Sequence, residues 1–256
     1  MVRENIVFVS GSSRGIGKAI ARLLLEEEYI VVINGKNKKS LDKTFGEFNK
    51  VFSNKVFSFH GDLTDEKVIK KLKNFIKKKF KIMDHLICNI GDGKSKKGLN
   101  ESNQEFRQSF EVNFFNAVML TKEMVSLLSH KKSNNKSITF ISSIVALEYI
   151  DCPISYSCSK ASLNIYSKSL SKVLGSKNIR VNTISPGNII FDGSTWDKKI
   201  KKNPKATKKY IKENVPLSKF GLTKDISNLV SYLISNKSEF ITGSNFVIDG
   251  GQHNSY

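Results

Sequence analysis

Residues 6–17 read Ile6-Val7-Phe8-Val9-Ser10-Gly11-Ser12-Ser13-Arg14-Gly15-Ile16-Gly17, and the amphipathic stretch Lys18–Glu27 follows them. A short apolar, β-branched run predicts a strand over Ile6–Ser10, and the next pattern predicts a helix. Between them lie three glycines. Glycine lets the backbone turn tightly and lets a diphosphate approach the N–H groups at a helix start, where the helix dipole favours negative charge. A lone glycine-rich run says little. With a strand before it and a helix after it, the run predicts a dinucleotide-phosphate cradle.

The same rhythm continues along the chain. Strands are expected at Ile30–Asn34, Lys55–Phe59, Asp84–Asn89, Ser137–Ser142, Ile179–Ser185 and Asn245–Asp249, with helical patterns between them. The clearest helix is 65–80, where Val68, Leu72, Phe75, Ile76 and Phe80 form an apolar stripe. Lysines fill most of its other face, and Thr64–Asp65 supplies its start. Strand–helix alternation from end to end implies an α/β fold: a single doubly wound Rossmann-type domain over 1–256, with a seven-stranded, mainly parallel sheet flanked by helices on both faces. The Lys-rich segment 187–216 breaks the rhythm and is expected to be a substrate lid.

Composition narrows the field. At 256 residues and 39% hydrophobic, the chain can bury a full core. No apolar run reaches the roughly 18 residues of a membrane span, and the first ten residues do not read as a secretory signal. Cys88, Cys152 and Cys158 lack metal-ligand spacing, so no metal site is expected, and they read as reduced thiols of a cytoplasmic protein. The net charge is +19, carried by 37 Lys and only five Arg. Such a field attracts anions, but base readout leans on Arg, so nucleic acid is not an expected partner.

The spacing of Gly11, Gly15 and Gly17 is GxxxGxG. In this the chain resembles the short-chain dehydrogenase/reductase family, and the resemblance runs over residues 5–252. Gly61-Asp62-Leu63-Thr64 resembles the family segment whose Asp contacts adenine. Cys88-Asn89-Ile90-Gly91 resembles its Asn-Asn-Ala-Gly stretch, with the first and third positions changed. Pro186-Gly187 follows the sixth strand as in the family, and Ile241 to Gly251 resembles its C-terminal strand. The resemblance implies dinucleotide contacts at Gly11, Ser13, Arg14, Gly15, Ile16, Gly17, Lys36, Asp62, Leu63, Asn89, Gly91, Pro186, Gly187 and Ile189, and also at Tyr156 and Lys160.

A carboxylate at the end of the second strand would bond a ribose 2′-hydroxyl and favour NAD. This strand ends Ile33-Asn34-Gly35-Lys36, without an acid. A 2′-phosphate would meet Arg14 and Lys36, with Ser12 or Ser13 as neutral donors, so NADP(H) is the expected cofactor.

Tyr156-Ser157-Cys158-Ser159-Lys160 is the family's YxxxK. Residues i and i+4 share a helix face, so the ammonium can sit near the phenol and lower its pKa, making Tyr156 a general acid or base. The resemblance adds Ser143, thirteen residues upstream, to hold the substrate oxygen, with Ser142 second, and Asn113 to hold a water in the proton relay. Where many members carry Thr, this chain has Phe191; Ser194 and Thr195 are possible replacements. Trp196 either caps the substrate or anchors the lid. The expected function is NADP(H)-dependent hydride transfer between the nicotinamide and a carbonyl or secondary alcohol, most like a 3-oxoacyl-carrier-protein reductase, with an acidic carrier protein as a candidate partner. The alternatives are a dehydrogenase of sugars or sugar phosphates in surface-glycan or flagellin modification, and a non-catalytic dinucleotide-binding scaffold. Family members like this one are mostly homotetramers, some dimers, with contacts expected from the last two helices and the final strand.

Overall fold

The computed structural model describes residues 4–128 and 135–254. Its elements in chain order are β1 (Ile6–Val9), α1 (Gly15–Glu26), β2 (Ile30–Gly35), α2 (Lys38–Asn49), β3 (Val56–His60), α3 (Glu66–Phe80), β4 (His85–Cys88), α4 (Asn103–Phe110) and α5 (Asn116–Leu128). They continue as β5 (Lys136–Ile141), α6 (Ile154–Leu174), β6 (Ile179–Pro186), β7 (Ile189–Ile190), α7 (Thr195–Lys202), α8 (Pro204–Asn214), β8 (Gly221–Leu222), α9 (Thr223–Ile234) and β9 (Asn245–Ile248). Each of the seven expected strands forms within one residue of its expected ends.

The main sheet runs β3-β2-β1-β4-β5-β6-β9, and every neighbouring pair is parallel. Parallel strands need crossover helices, which cover both faces, so the central strands β1, β4, β5 and β6 are buried from end to end. In β1 the two-residue period sends Ile6 and Phe8 to one face and Val7 and Val9 to the other. The first pair joins Ile69, Leu72, Leu120, Met124 and Leu163 in one core; the second joins Ile20, Leu24, Leu41, Ile226 and Val230 in the other. On α3 the buried residues are Ile69, Leu72 and Ile76, with Val68, Phe75 and Phe80 packed at the edge. Ile69, outside the expected stripe, is buried, while Val68 packs at the edge of the core.

Two local differences from expectation matter. Helix α1 starts at Gly15 rather than Lys18, because the N–H groups of a first turn need no partner inside the helix and two glycines are tolerated there. The 187–216 segment is mostly helical. Ser194 Oγ accepts the Asp197 N–H at 3.1 Å, and Asn203 Oδ1 accepts that of Ala206 at 3.0 Å ahead of Pro204, so two caps divide it into α7 and α8. At its base β7 pairs with β8, Ile189 opposite Gly221. Among the described residues, no helix is long and apolar enough to cross a membrane.

Candidate active site

Strand order reverses between β1 and β4, and the loops leaving their C-terminal ends diverge to open a crevice. A cleft of about 600 Å³ lies there. Its walls include Gly11, Ser13, Arg14, Gly15, Ile16, Lys36, Asp62, Leu63, Asn89 and Gly91, all expected at this place.

The cradle is held from three strands. Asn89 donates its N–H to Ser10 Oγ at 2.9 Å and its amide to the carbonyls of Ser10 and Gly11, tying β4 to β1. Asn34 Oδ1 accepts the Gly11 N–H at 3.3 Å, and Asn34 Nδ2 donates to the Phe59 and Gly61 carbonyls, each at 3.1 Å. Asn34 was not among the expected site residues; its place beside Gly35 at a strand end was the available signal. Gly11 and Gly15 have φ of +60° and +58°, where a side chain is strained. No side chain caps α1, so the N–H groups of its first turn face the cleft without a side-chain partner. This donor set fits a bound diphosphate.

Six expected residues do not line the cleft: Tyr156 and Lys160, which lie behind its wall, and four that belong to its frame. Gly17 lets the loop close: a Cβ there would lie 2.5 Å from the Gly11 carbonyl oxygen. Gly187 packs on Asp249 in the same way, Ile189 is buried in β7, and Pro186 ends β6. Ser12 is not a phosphate donor. It is buried, donates to the Val9 carbonyl at 2.7 Å and accepts the Asn34 N–H at 2.8 Å. Ser13 Oγ instead sits beside Gly35, next to exposed Arg14 and Lys36. Lys36 Nζ is 3.7 Å from Asp62; both side chains are largely exposed, so this ion pair holds the lysine only weakly.

Phe191 roofs the cradle. A Cβ on Gly15 would lie 2.7 Å from its ring. Ser194 is committed to capping α7 and Thr195 is exposed, so neither takes the place of the absent Thr at 191 in this arrangement. Trp196 packs on Tyr210 and Phe220 with centroids at 5.1 and 5.4 Å, which makes it an anchor within the segment. Lys199 Nζ lies 4.1 Å from the centre of its ring.

Behind the part of the cleft wall formed by Gly91 and Asp92, Asn113 and Lys160 meet at Gly91, and Tyr156, with Ser143 acting on its phenol, packs at Gly93. The Ser143 side chain acts on the Tyr156 phenol and favours its ionised form. Ser142 turns away: it is buried and donates to the Lys160 carbonyl at 3.4 Å. Asn113 lies in a π-helical turn, Glu111–Phe115, between α4 and α5. Its Oδ1 accepts the Asp92 N–H and its Nδ2 donates to the Asp92 carbonyl, each at 2.9 Å. Gly91 admits these groups, since a Cβ there would lie 2.8 Å from both Asn113 Oδ1 and Lys160 Nζ.

The ionisation differs from expectation. The Lys160 ammonium donates to the Ile141 carbonyl at 2.9 Å rather than acting on the phenol. Burial pushes Tyr156 up to about 12, opposed by the Ser143 hydroxyl, while Cys152 and Asp92 add to the rise. Burial also brings Lys160 down to about 8, opposed by Asp92. Desolvation of the two charged forms outweighs the i, i+4 proximity read from sequence. A stability consequence follows for Lys160. Between pH 8 and its ordinary value near 10.5 the unfolded chain binds the extra proton, so the folded protein gains stability as pH rises through this window. Lys160→Met removes that dependence: its melting temperature relative to the wild type is expected to be higher at pH 7 than at pH 10. A difference independent of pH would contradict the assignment.

A family model described as enoyl-(acyl carrier protein) reductase matches residues 11–253. The chain belongs to the short-chain dehydrogenase/reductase family. Within this family it is 30% identical to the 3-oxoacyl-[acyl-carrier-protein] reductase FabG of Aquifex aeolicus, over 98% of each chain. It is 29% identical to that of Rickettsia prowazekii, over 95% of this chain and 94% of the other. A 3alpha-hydroxysteroid dehydrogenase of Mediterraneibacter gnavus is 26% identical, over 98% and 97%. Short-chain dehydrogenases are oxidoreductases, and the fold is shared with L-sorbose reductase of Gluconobacter frateurii, solved with NADPH and L-sorbose. That match has a TM-score of 0.91 at 24% identity, covering 100% of this chain and 98% of the other.

Proposed function

We propose that this dehydrogenase/reductase is an NADP(H)-dependent reductase of a carbonyl group, most like the 3-oxoacyl-carrier-protein reductases. The observation that carries the reading is the group gathered behind the wall of the cleft that holds the Gly11–Gly15 cradle: Asn113 Oδ1 and Lys160 Nζ against Gly91, and the Tyr156 ring against Gly93. When bound, NADPH supplies the hydride. Arg14 and Lys36, beside Ser13 and with no acid at the end of β2, would hold its 2′-phosphate, and the α1 N–H groups its diphosphate. Ser143 orients the substrate oxygen. Tyr156, pushed up to about 12, keeps its proton at neutral pH and donates it to that oxygen as negative charge develops, which favours the reductive direction. Lys160, down at about 8, can carry or release a proton near neutrality, and Asn113 fixes the Asp92 backbone at the wall of the site.

Support comes from the relatives at about 30% identity that are named as acting on acyl carrier protein, and from the NADPH-bound L-sorbose reductase of the same fold. The α7–α8 segment, hinged at the β7–β8 pair, serves as the substrate lid in this reading. Its lysines suit an acidic carrier or a phosphorylated substrate. Outward-facing Ile165 and Val173 on α6, Tyr232 on α9 and Phe240 before β9 support assembly as a homotetramer.

A panel comparing a β-ketoacyl thioester with sugars and sugar phosphates, followed by NADPH absorbance, tests the reading. Thioester reduction is the expected result; turnover of sugar substrates alone would move the assignment to the sugar dehydrogenases. Arg14→Ala combined with Lys36→Ala is expected to raise the KM for NADPH by about ten- to a hundredfold, the weight of one or two charge-assisted bonds, while leaving that for NADH nearly unchanged. Equal effects on both cofactors would refute the NADP(H) assignment.

A further inference from the structure

We propose that Glu101 is a positioning residue for the helix that carries Tyr156 and Lys160, capping that helix from the segment ahead of α4. The proposal rests on the role given to Tyr156 above.

Helix α6 begins at Ile154 after Pro153, which has no side-chain oxygen with which to cap it. The N–H groups of its first turn therefore need an acceptor from elsewhere. Glu101 supplies one from 54 residues away. One carboxylate oxygen accepts the Ser155 N–H at 3.0 Å and the other accepts the Ser155 hydroxyl. Ser155 is fully buried and immediately precedes Tyr156. A carboxylate here also meets the positive end of the helix dipole.

Glu101 is itself held in place. The next residue, Ser102, is the cap of α4: its Oγ accepts the Glu105 N–H at 3.2 Å, and the Glu105 carboxylate accepts the Ser102 N–H at 2.9 Å. Helix α4 leads into the π-helical turn that carries Asn113. Segment 92–101 is thus clamped at both ends to the site, by Asn113 on Asp92 and by Glu101 on Ser155. Between them Lys97 pairs with Asp151 in the loop before α6. The segment lies directly against the phenol: a Cβ on Gly93 would be 3.2 Å from the Tyr156 ring. Glu101 thereby links the helix leading to Asn113 with the helix bearing Tyr156 and Lys160.

The test is steady-state kinetics of Glu101→Ala, Glu101→Gln, Ser155→Ala and the Glu101→Gln/Ser155→Ala pair, with NADPH affinity and melting temperature measured on each. Glu101→Ala is expected to lower kcat about tenfold or more, because small misplacements of a proton donor are costly, with the NADPH Kd within about twofold of wild type. Glutamine retains one acceptor for the Ser155 N–H, so Glu101→Gln should lose only about threefold. The pair should be no slower than the worse of its two single variants, since both act through one contact. An unchanged kcat in Glu101→Ala, a Gln variant as impaired as the Ala variant, a parallel fall of kcat and NADPH affinity, or additive losses in the pair would each overturn the proposal. Should Glu101→Ala fail to fold, the Gln variant and the pair still decide it. Tyr156→Phe is run alongside. If it retains turnover, the reading of Tyr156 fails; if it is inactive while Glu101→Ala is fully active, only the role of Glu101 fails.

Discussion

Tyr156→Phe is expected to lower turnover by about a hundred- to ten-thousandfold, the usual range for removing a general acid, while NADPH affinity stays within a few-fold. The substitution deletes one oxygen, the phenol oxygen on which Ser143 acts. It leaves the ring against Gly93 and the Lys160 bond to the Ile141 carbonyl unaltered, so the framework of the site survives. Fluorescence titration with NADPH and steady-state kinetics on the same preparation separate the two quantities. Retained turnover would remove Tyr156 from proton transfer, and a collapse of NADPH binding would show that the hydroxyl serves the cofactor rather than the substrate. Because the phenol is pushed up to about 12, the wild-type reductive rate is expected to show no loss from phenol ionisation between pH 6 and 9.

Gly17→Ala carries the second large effect. The new methyl would lie 2.5 Å from the Gly11 carbonyl oxygen and 2.6 Å from Asn89 Nδ2, in the middle of the hydrogen bond that closes the cradle. One of the contacts is backbone, so no rotamer change relieves it. Overpacking of this kind costs about 1–3 kcal/mol, which for a chain of this size lowers the melting temperature by several degrees. NADPH affinity should fall more than tenfold, because the displaced Gly11 loop and the first turn of α1 form the proposed diphosphate site. Gly46→Ala is the control. It lies in α2 with nothing within 4 Å of a new Cβ, and alanine's higher helix propensity predicts a neutral or slightly stabilising change. Similar behaviour of the two variants would remove the steric argument.

Much of this molecule could be read before folding was considered. Seven strands were legible because strands buried on both faces must be apolar runs, and such runs stand out between Lys-rich helices such as α3. The cradle was legible because backbone turning and close approach require glycine at set spacing. Asn113, Ser143, Tyr156 and Lys160 were legible through a family spacing; in the structure Asn113 and Lys160 meet at Gly91 and Tyr156 packs at Gly93. Contacts between distant segments carried no such mark. The demotion of Ser12 to a framework bond depends on Asn34 across the next strand. The placing of Phe191 over Gly15 depends on how the loop after β7 returns to α1.

The sequence by itself determined the order of strands and helices and which residues were candidates for chemistry, because hydrophobic period, glycine placement and helical spacing act over a few residues at a time. Only the tertiary structure decided the proton state of the site. Desolvation holds the Tyr156 phenol up and the Lys160 ammonium down, and desolvation depends on atoms brought together from β4, β5, α6 and the segment after Gly91. The same holds for Glu101: its carboxylate meets Ser155, 54 residues away, only once the chain has folded.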